Sequence, residues 1–464
     1  MKLGFFPAGQ AVLLMLAVGA MLIGTPHALA QPVQAADPVP ITTRFIHVAN
    51  GVPGVLYEPA KPGTKASTAV LIMHSSADYL NFPGCSELAR RGYRAFCVNN
   101  SSSKSGAAND GMLDQVLREL EAAMAVLRAQ PGVARVVLLG HSGGGAVMSA
   151  YQMIAEGGVK ACQGPEKIWK CPDTLAGLPP ADALMLVDSN WGLSEMTLFS
   201  IDPAVTSEGA GKPLDPALDM FNPANGFRPT GSEYSPAFVR AFQSAEGRRN
   251  NGLVMQAQGQ WAALKAGKGS YEDDAPFVVP GASLLGGNNK LFSQDLALMA
   301  HTEGAYPLLH ADGSQTTEVI HSVRVPENTQ NLSAYYIRGA LKTSLRGYLS
   351  SYAIQVTPDF GYDATSVKGV DWTSTYASPP GNVEGVHVPL LVMGMTGHWE
   401  YLASETIYRH AASHDKTIVF VEGATHLYTT CKLCERHPGE FGDTQKTTYD
   451  YIDHWLSAPG RFPI

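Results

Sequence analysis

The sequence lacks the common signatures of cofactor binding. It has no Walker-type phosphate loop, no G-x-G-x-x-G segment that opens a helix, and no H-E-x-x-H zinc motif. It also lacks a basic cluster, because 33 Lys and Arg residues and 41 Asp and Glu residues are mixed along the chain and give a net charge of −8. Phosphate recognition needs concentrated positive charge. We therefore expect neither a cofactor nor a nucleic-acid partner, and the composition predicts nothing about oligomeric state.

Long apolar runs are scarce as well. The only run of note, residues 11–23 (AVLLMLAVGAMLI), precedes the small-x-small tripeptide 28–30 (ALA) that signal peptidase accepts. It is shorter than a bilayer-spanning helix needs, and no comparable run follows it. We predict a signal peptide over residues 1–30, cleaved after Ala30, with Ala36 as a second possible cleavage site. The mature protein should have no membrane span and should be exported, to the periplasm or the extracellular space.

Cysteine is limited to six residues, and an exported chain can form and keep disulfides between them. The six are Cys85, Cys97, Cys162, Cys171, Cys431 and Cys434. Spacing brings Cys162 near Cys171 and Cys431 near Cys434, but it does not prove the connectivity. An alternative for Cys431, Cys434 and His437 is a metal site, for which no fourth ligand is apparent. We favour disulfides and expect no bound metal.

Patterns of buried strands alternate with helical patterns along the first half of the chain. Apolar runs of strand length occupy residues 68–73, 93–98, 135–140 and 183–188, after an early strand pair over 45–57. Helical segments lie between them at residues 85–92, 113–127 and 146–157. Such alternation predicts an α/β fold with a doubly wound, mostly parallel sheet.

The alternation stops after the sixth strand and resumes near residue 388. Between these points lies a mixed region that is too long for a loop and contains helical pieces at 237–249 and 333–353. The last part of the chain has strand patterns at 388–394 and 416–423 and helical patterns at 403–412 and 444–457. We predict a tether at 31–43, a sheet core at 44–191 and 386–464, and a mixed or helical cap at 192–385.

The strongest functional signal is the G-x-S-x-G sequence at residues 140–144 (GHSGG), between a buried strand and a helix. A nucleophile elbow needs such a turn, because it pushes the serine out of the sheet, and side chains at the flanking glycines would collide with the backbone. The helix that follows places N–H groups and a positive dipole end near any oxyanion. We predict that Ser142 is the nucleophile.

From this motif onward, the chain resembles the α/β-hydrolase superfamily over roughly residues 68–160 and 388–456. The cap between them matches no pattern of that family. The resemblance implies the α/β-hydrolase fold and an oxyanion hole whose first N–H comes from Gly143. It also implies a general base after the last strand, where His426 follows the run TIVFV.

The resemblance places the second oxyanion N–H in the loop after the third strand, here residues 74–77 (HSSA). Many family members have His-Gly-x at this point, so Ser75 replaces a glycine. By position, Ser76 supplies the second N–H, with Ser75 as the alternative. We expect His74 to be a structural hydrogen-bonding residue in this loop.

The acid of the triad is harder to assign, because Gly397 stands where the family usually has Asp. Glu400, three residues later, is our first candidate, and Asp188 at the end of the sixth strand is the alternative. His398 and Trp399 belong to the same loop, which should lie at the carboxyl edge of the sheet. We therefore predict that His398 and Trp399 line the substrate site.

These residues together indicate a serine hydrolase that transfers an acyl group in two steps, with a carboxylic ester of a small molecule as the expected substrate. The same triad could instead cleave an amide, a lactone or a thioester. A non-catalytic binding protein on the same fold is a further alternative, and the missing Asp at Gly397 is the observation that supports it.

Overall fold

The computed structural model describes residues 39–48, 51–104, 109–208, 214–282, 289–326 and 339–462. The predicted signal peptide at 1–30 and most of the predicted tether lie outside these ranges. The first strand begins at Ile41, so the end of the segment 31–43 is part of the sheet and not a tether. The reason is antiparallel pairing, in which Ile41 lies opposite Pro59 and His47 lies opposite Pro53.

Strands and helices alternate as the sequence predicts. The strands are β1 (Ile41–His47), β2 (Pro53–Pro59), β3 (Thr68–Met73), β4 (Arg94–Val98), β5 (Arg135–Ser142), β6 (Ala183–Ser189), β7 (Pro276–Pro280), β8 (His301–Leu309), β9 (Gln315–His321), β10 (Ala340–Ser344), β11 (Gln355–Tyr362), β12 (Val367–Asp371), β13 (Leu390–Met395) and β14 (Lys416–Val421). The helices are α1 (Pro83–Arg90), α2 (Leu113–Arg128), α3 (Gly144–Gly157), α4 (Leu193–Leu198), α5 (Pro236–Lys265), α6 (Leu291–Gln294), α7 (Leu345–Gly347), α8 (Pro379–Asn382), α9 (Tyr401–His410) and α10 (Thr444–Ser457).

Ten of these strands form one sheet in the order β1-β2-β4-β3-β5-β6-β13-β14-β8-β9. From β4 to β8 in this order, neighbouring strands run parallel, whereas β2 is antiparallel to both of its neighbours. The predicted doubly wound, mostly parallel sheet is confirmed. Strand β6 therefore lies beside β5 and β13, which brings the carboxyl ends of these three strands to one edge.

Both faces of the sheet are buried along its central strands, such as β3 and β13. Along β3, Leu71 belongs to an apolar cluster with Leu117 of α2, whereas Ile72 belongs to a second cluster with Leu88 of α1 and Ile452 of α10. A strand that is covered by helices on both faces has apolar residues at every position, which explains the continuous apolar runs in the sequence.

The region after the sixth strand is more than a cap. Strands β8 and β9 extend the central sheet beyond β14, and the hairpin that they form lies within the predicted insertion at 192–385. Two smaller sheets, β7 with β10 and β11 with β12, also belong to the insertion. The long helix α5 starts one residue before the predicted segment 237–249 and continues to Lys265.

The predicted helix at 333–353 is wrong over residues 340–344, which form β10. Leu341 of this strand lies opposite Val279 of β7, and both side chains are buried in the same apolar cluster. Pairing with a distant strand overrides the local helical pattern. The turns after Ser344, including α7, are helical as expected, and residues 333–338 of the predicted helix lie outside the described ranges.

Three disulfides join Cys85 to Cys97, Cys162 to Cys171, and Cys431 to Cys434. The last of these excludes the alternative in which Cys431 and Cys434 bind a metal together with His437, because an oxidised pair has no thiolate to offer. Among the helices of the described ranges, none is long and apolar enough to span a membrane.

Candidate active site

Ser142 occupies a strained turn between β5 and α3. Its φ is 54°, in the left-handed region that non-glycine residues rarely adopt. A Cβ atom added at Gly140 would lie 2.8 Å from the Cα of Gly145, and one added at Gly144 would lie 2.7 Å from the carbonyl oxygen of Met73. The glycines of the motif are therefore required sterically, as a nucleophile elbow predicts.

A second strained residue ends the neighbouring strand. Asp188 of β6 has a φ of 46°, and the adjacent Ser189 pairs with Ser142 across the two strands. In the part of the chain that the structure describes, positive φ at non-glycine residues is confined to Ser142, Asp188, Met299 and Tyr428. Strain of this kind clusters at functional sites, and here it marks the edge of the sheet where β5 and β6 end.

Ser142 and His426 line the same cavity, which has a volume of about 570 Å³. The loop after β3 and residues of α4 form other parts of its wall. No hydrogen bond involving Ser142 Oγ, to His426 or to another residue, occurs within the described ranges. In unliganded sites this contact is often long and tightens only when a substrate binds.

The imidazole of His426 is held on several sides. Its Nδ1 lies 2.6 Å from Asp188 Oδ2 and 3.2 Å from Glu400 Oε2. Its ring is 4.5 Å from the ring of His141 and 4.6 Å from that of His398, measured between centroids. Burial lowers the pKa of His426 to about 4. With Nδ1–H donated to a carboxylate, the lone pair of a neutral ring is on Nε2, where a general base needs it.

His141, the residue before Ser142, joins this turn to the loop that carries His426. One ring nitrogen, Nε2, lies 2.7 Å from the carbonyl oxygen of His426, and the other, Nδ1, lies 2.5 Å from the hydroxyl of Tyr79. A neutral ring that donates from Nε2 accepts from the tyrosine at Nδ1, and burial lowers the pKa of His141 well below its usual range. Nothing in the G-x-S-x-G pattern predicts this role, because the second position of the motif is free.

The backbone N–H groups after β3 are arranged differently from what the predicted oxyanion hole requires. The N–H groups of Ser76 and Ala77 donate to His74 Nδ1 over 3.0 and 2.8 Å, so His74 has the structural role expected of it and Ser76 is already engaged. The N–H groups of Ser75 and Gly143 donate to no acceptor among the described residues. The geometry therefore favours the alternative, Ser75, over Ser76.

The side chain of Ser75 adds a further donor at this point. Its Oγ is buried and has no hydrogen-bond partner among the described residues. A Cβ atom added at Gly143 would collide with Ser75 Oγ and would lie 3.2 Å from His74 Nε2. The hydroxyl of Ser75 thus lies next to the Gly143 backbone, and both the hydroxyl and the Gly143 N–H could donate to one negatively charged oxygen.

The two candidate acids both reach the base, but they are not equivalent. Asp188 Oδ2 makes the hydrogen bond to His426 Nδ1, and Asp188 Oδ1 accepts the N–H of Met395 over 3.0 Å. Glu400 Oε2 is buried and accepts no hydrogen bond from any described residue. The geometry therefore favours the alternative acid, Asp188, over Glu400. The signal for Asp188 was its place at the end of β6, directly beside the elbow strand.

The neighbours of Glu400 pack near His426 and are absent from the described wall of the cavity. His398 and Trp399 are not among the described residues that line the cavity. The ring of His398 stacks on His426, and its Nδ1 lies 3.9 Å from Asp188 Oδ2. Trp399 is buried, with its ring stacked on Trp191. The predicted role of both residues as pocket walls does not fit these positions, because their loop packs behind the imidazole.

Four side chains at this point could coordinate a cation by distance alone. Asp188, His398, Glu400 and His426 each offer one ligand atom, and these atoms lie within 4.8 Å of one another. Two imidazoles and two carboxylates are a common ligand set for divalent metals. A cation here would, however, compete with Asp188 for Nδ1 of His426, and so with the hydrogen bond that orients the base.

No protein-family model and no curated protein matches the chain. Solved structures that are similar to it include carboxyl esterase 2 from the mycorrhizal fungus Tuber melanosporum, with 12% identity, a TM-score of 0.37, and coverage of 93% of this chain and 89% of that one. Another is brefeldin A esterase, a bacterial homologue of human hormone-sensitive lipase, with 11% identity, a TM-score of 0.39, and coverage of 92% and 79%. A soluble variant of monoglyceride lipase from Saccharomyces cerevisiae has 11% identity, a TM-score of 0.40, and coverage of 94% and 99%.

These likenesses are too distant to carry an inference about activity. The fold is instead evident from the chain itself. An antiparallel strand leads into a parallel sheet, a strained serine follows the fifth strand, a long insertion follows the sixth, and a histidine follows β14. With this sheet and this elbow, the chain has the α/β-hydrolase fold.

Proposed function

We propose that this protein is an exported serine hydrolase that cleaves carboxylic esters through an acyl-enzyme on Ser142. One observation carries the proposal. Ser142 and His426 line the same cavity, and Nδ1 of His426 is 2.6 Å from the buried carboxylate of Asp188. A serine at an elbow, an imidazole and a buried acid are the three parts of a hydrolytic triad.

In the proposed mechanism, Ser142 Oγ attacks the ester carbonyl while His426 Nε2 takes the proton. Asp188 keeps the Nδ1–H tautomer and stabilises the imidazolium that forms. The N–H groups of Gly143 and Ser75 stabilise the oxyanion, together with the hydroxyl of Ser75. His426 then returns the proton to the leaving alcohol, and water releases the acyl group by the same route in reverse.

The wall of the cavity favours an uncharged, largely apolar small molecule. Its described lining includes Tyr79, Phe82, Leu193, Met196 and Tyr352. Among the described residues of this wall, no lysine or arginine occurs that could bind an acidic substrate group. A volume of about 570 Å³ suits a ligand of drug-like size, which is far smaller than a protein substrate.

Two features support export as part of the proposal. The three disulfides fit an oxidising compartment, since cytoplasmic thiols are normally kept reduced. The segment 1–30 has the pattern of a secretory signal peptide. N-terminal sequencing of the protein recovered from the periplasm or the medium of an expressing cell tests this point, and a start after Ala30 is expected.

Hydrolysis of 4-nitrophenyl esters of graded acyl length tests the activity. We expect Ser142→Ala to lower kcat by at least about 10³-fold, because removal of a triad nucleophile leaves only binding and the oxyanion hole. Ser457→Ala, at an exposed helix end outside the cavity, should keep the wild-type rate. An inactive wild type, or a Ser142→Ala variant that is as active as the wild type, would favour a non-catalytic binding protein or another nucleophile.

A further inference from the structure

The base of the proposed triad faces two buried carboxyl groups. Asp188 and Glu400 are 0% and 2% exposed, and they approach the same nitrogen of His426, Nδ1, to 2.6 and 3.2 Å. One acid is sufficient to orient a catalytic histidine. The second carboxyl group is therefore unexplained by the mechanism above.

The described residues provide too few hydrogen-bond donors to stabilise Asp188 and Glu400 if both are ionised. Nδ1 of His426 carries one hydrogen and donates it to Asp188, which also accepts the N–H of Met395. Glu400 Oε2 is left without a donor among the described residues. A buried carboxylate without a donor is costly, so one of the two groups needs a proton or another positive charge.

Burial and mutual proximity both oppose two negative charges at this point. Burial raises the pKa of both carboxyl groups, and the proximity of Asp188 raises that of Glu400 further. Among the described residues, the ionisable side chains that interact with one or both carboxyl groups are His398, His426, Lys290, Tyr79 and Tyr428, and Arg324 interacts with His398 beside them. Burial lowers the pKa of both histidines and so keeps them neutral, and the positive charge of Lys290 lowers the pKa of Glu400.

We propose that Asp188 and Glu400 form a single acid unit that shares one proton and carries one negative charge. The inference rests on the proposed serine hydrolase function and assigns to Glu400 the role of a positioning residue. In the resting site, Asp188 accepts Nδ1–H and Glu400 holds the shared proton. When Asp188 cannot accept, Glu400 releases that proton to solvent and takes over Nδ1–H, since its Oε2 is only 3.2 Å away.

The substitutions Asp188→Asn, Glu400→Gln and their combination test this sharing. Loss of the only acid of a triad lowers kcat by about 10⁴-fold. We expect about 10- to 100-fold for Asp188→Asn, less than about 10-fold for Glu400→Gln, and about 10⁴-fold for the double variant, which far exceeds the product of the single losses. Glu384→Gln, a change of the same kind at an exposed glutamate outside the cavity, should leave kcat unchanged.

The pH profile separates positioning from a merely structural role. In Asp188→Asn, activity requires ionised Glu400, so the acid limb of kcat/KM should move to higher pH than in the wild type. The proposal is overturned if Asp188→Asn is as inactive as the double variant, or if its acid limb does not move. Circular dichroism and urea unfolding of each variant show whether a loss of rate reflects a loss of folding.

Infrared spectroscopy tests the shared proton without any assay of activity. Burial also raises the pKa of Glu195 and Glu246, so these groups contribute a protonated-carboxyl band in every variant and cancel in difference spectra. At pH 7, the spectrum of the wild type minus that of Glu400→Gln, or minus that of Asp188→Asn, should show the band of one protonated carboxyl group. Absence of this band would overturn the proposal.

Two outcomes remain distinct from each other. If the wild type has the infrared band but hydrolyses no ester, the proposed function fails while the acid unit stands. If the purified protein contains a tightly bound divalent metal, and dialysis against EDTA removes it and makes the band appear, a cation and not a proton compensates the pair, which contradicts the proposal.

Discussion

Replacement of Glu400 by glutamine should stabilise the protein at alkaline pH. Carboxylate oxygens of Asp188 and Glu400 lie within 4.8 Å of each other. With an effective dielectric constant of about 20, two unit charges at this distance would repel by about 3.5 kcal/mol, so the folded protein at pH 8 keeps on Glu400 a proton that the unfolded chain releases. A neutral amide of the same shape needs no such proton uptake, so Glu400→Gln should unfold at a higher urea concentration than the wild type at pH 8, with up to about 3.5 kcal/mol more stability.

The gain should depend on pH in a defined direction. Burial and Asp188 raise the pKa of Glu400 in the folded state above its value in the unfolded chain. A group of this kind contributes its full stability below the unfolded pKa and loses it as the pH rises through the folded pKa. The advantage of Glu400→Gln should therefore be present at pH 8 and largely vanish at pH 4, where the glutamate is protonated in both states.

Urea unfolding of the wild type, Glu400→Gln and the control Glu384→Gln at both pH values measures this difference. The slope of the free energy against urea should stay constant, so that a shift of the midpoint reports stability. An equal difference at pH 4 and pH 8 would refute the reasoning. So would a Glu400→Gln variant that is less stable than the wild type at pH 8, because Glu400 would then be an ionised and well-compensated carboxylate.

Three further predictions concern the elbow, the base and the loop that holds it. Gly144→Ala should destabilise the fold by about 2–4 kcal/mol in urea unfolding, because its Cβ would overlap the backbone of Met73. The control Gly252→Ala, which has open space at its Cβ, should be neutral or stabilising by up to about 1 kcal/mol. Equal effects of the two substitutions would contradict the steric requirement for glycine in the turn at Ser142. Because burial lowers the pKa of His426, the acid limb of kcat/KM for ester hydrolysis should fall below pH 6, and a limb at pH 7 or above would contradict a buried base. Replacing Cys431 and Cys434 by serine should lower kcat several-fold, because their disulfide lies in the loop that follows His426. The free energy of unfolding should fall by no more than about 2 kcal/mol, since the disulfide closes a very short loop. An unchanged kcat would show that this disulfide does not position His426.

The sequence predicts the sheet core well because local pattern and tertiary structure agree there. Strand β3 spans residues 68–73 and helix α10 spans residues 444–457, both with the predicted bounds. A strand that is buried on two faces must be apolar at each position, so its pattern is unambiguous. In the insertion, strand β10 is stabilised by pairing with β7, which lies more than fifty residues earlier in the chain. The local sequence of β10 does not indicate this partner, so the strand could not be predicted from it.

The parts of the site that depend on one element were also predictable, and those that depend on neighbours were not. Ser142 lies in a turn that only glycine can flank without a steric clash, and these glycines are adjacent to Ser142 in the sequence, so the turn could be predicted. The preference for Glu400 over Asp188 followed position along the chain, whereas the hydrogen bond to His426 depends on which strand end lies beside the elbow. Likewise, the choice between Ser75 and Ser76 depends on His74 Nδ1, which accepts the N–H of Ser76.

Covalent labelling by a fluorophosphonate tests the central claim most directly. The reagent phosphonylates a serine only when a base activates the hydroxyl and an oxyanion hole binds the phosphoryl oxygen. Mass spectrometry of the digested protein should find one label per chain, on the peptide that contains Ser142, and labelling should be lost in a folded Ser142→Ala or His426→Gln variant. A wild type that stays unlabelled, or that is labelled at another residue, would contradict the account.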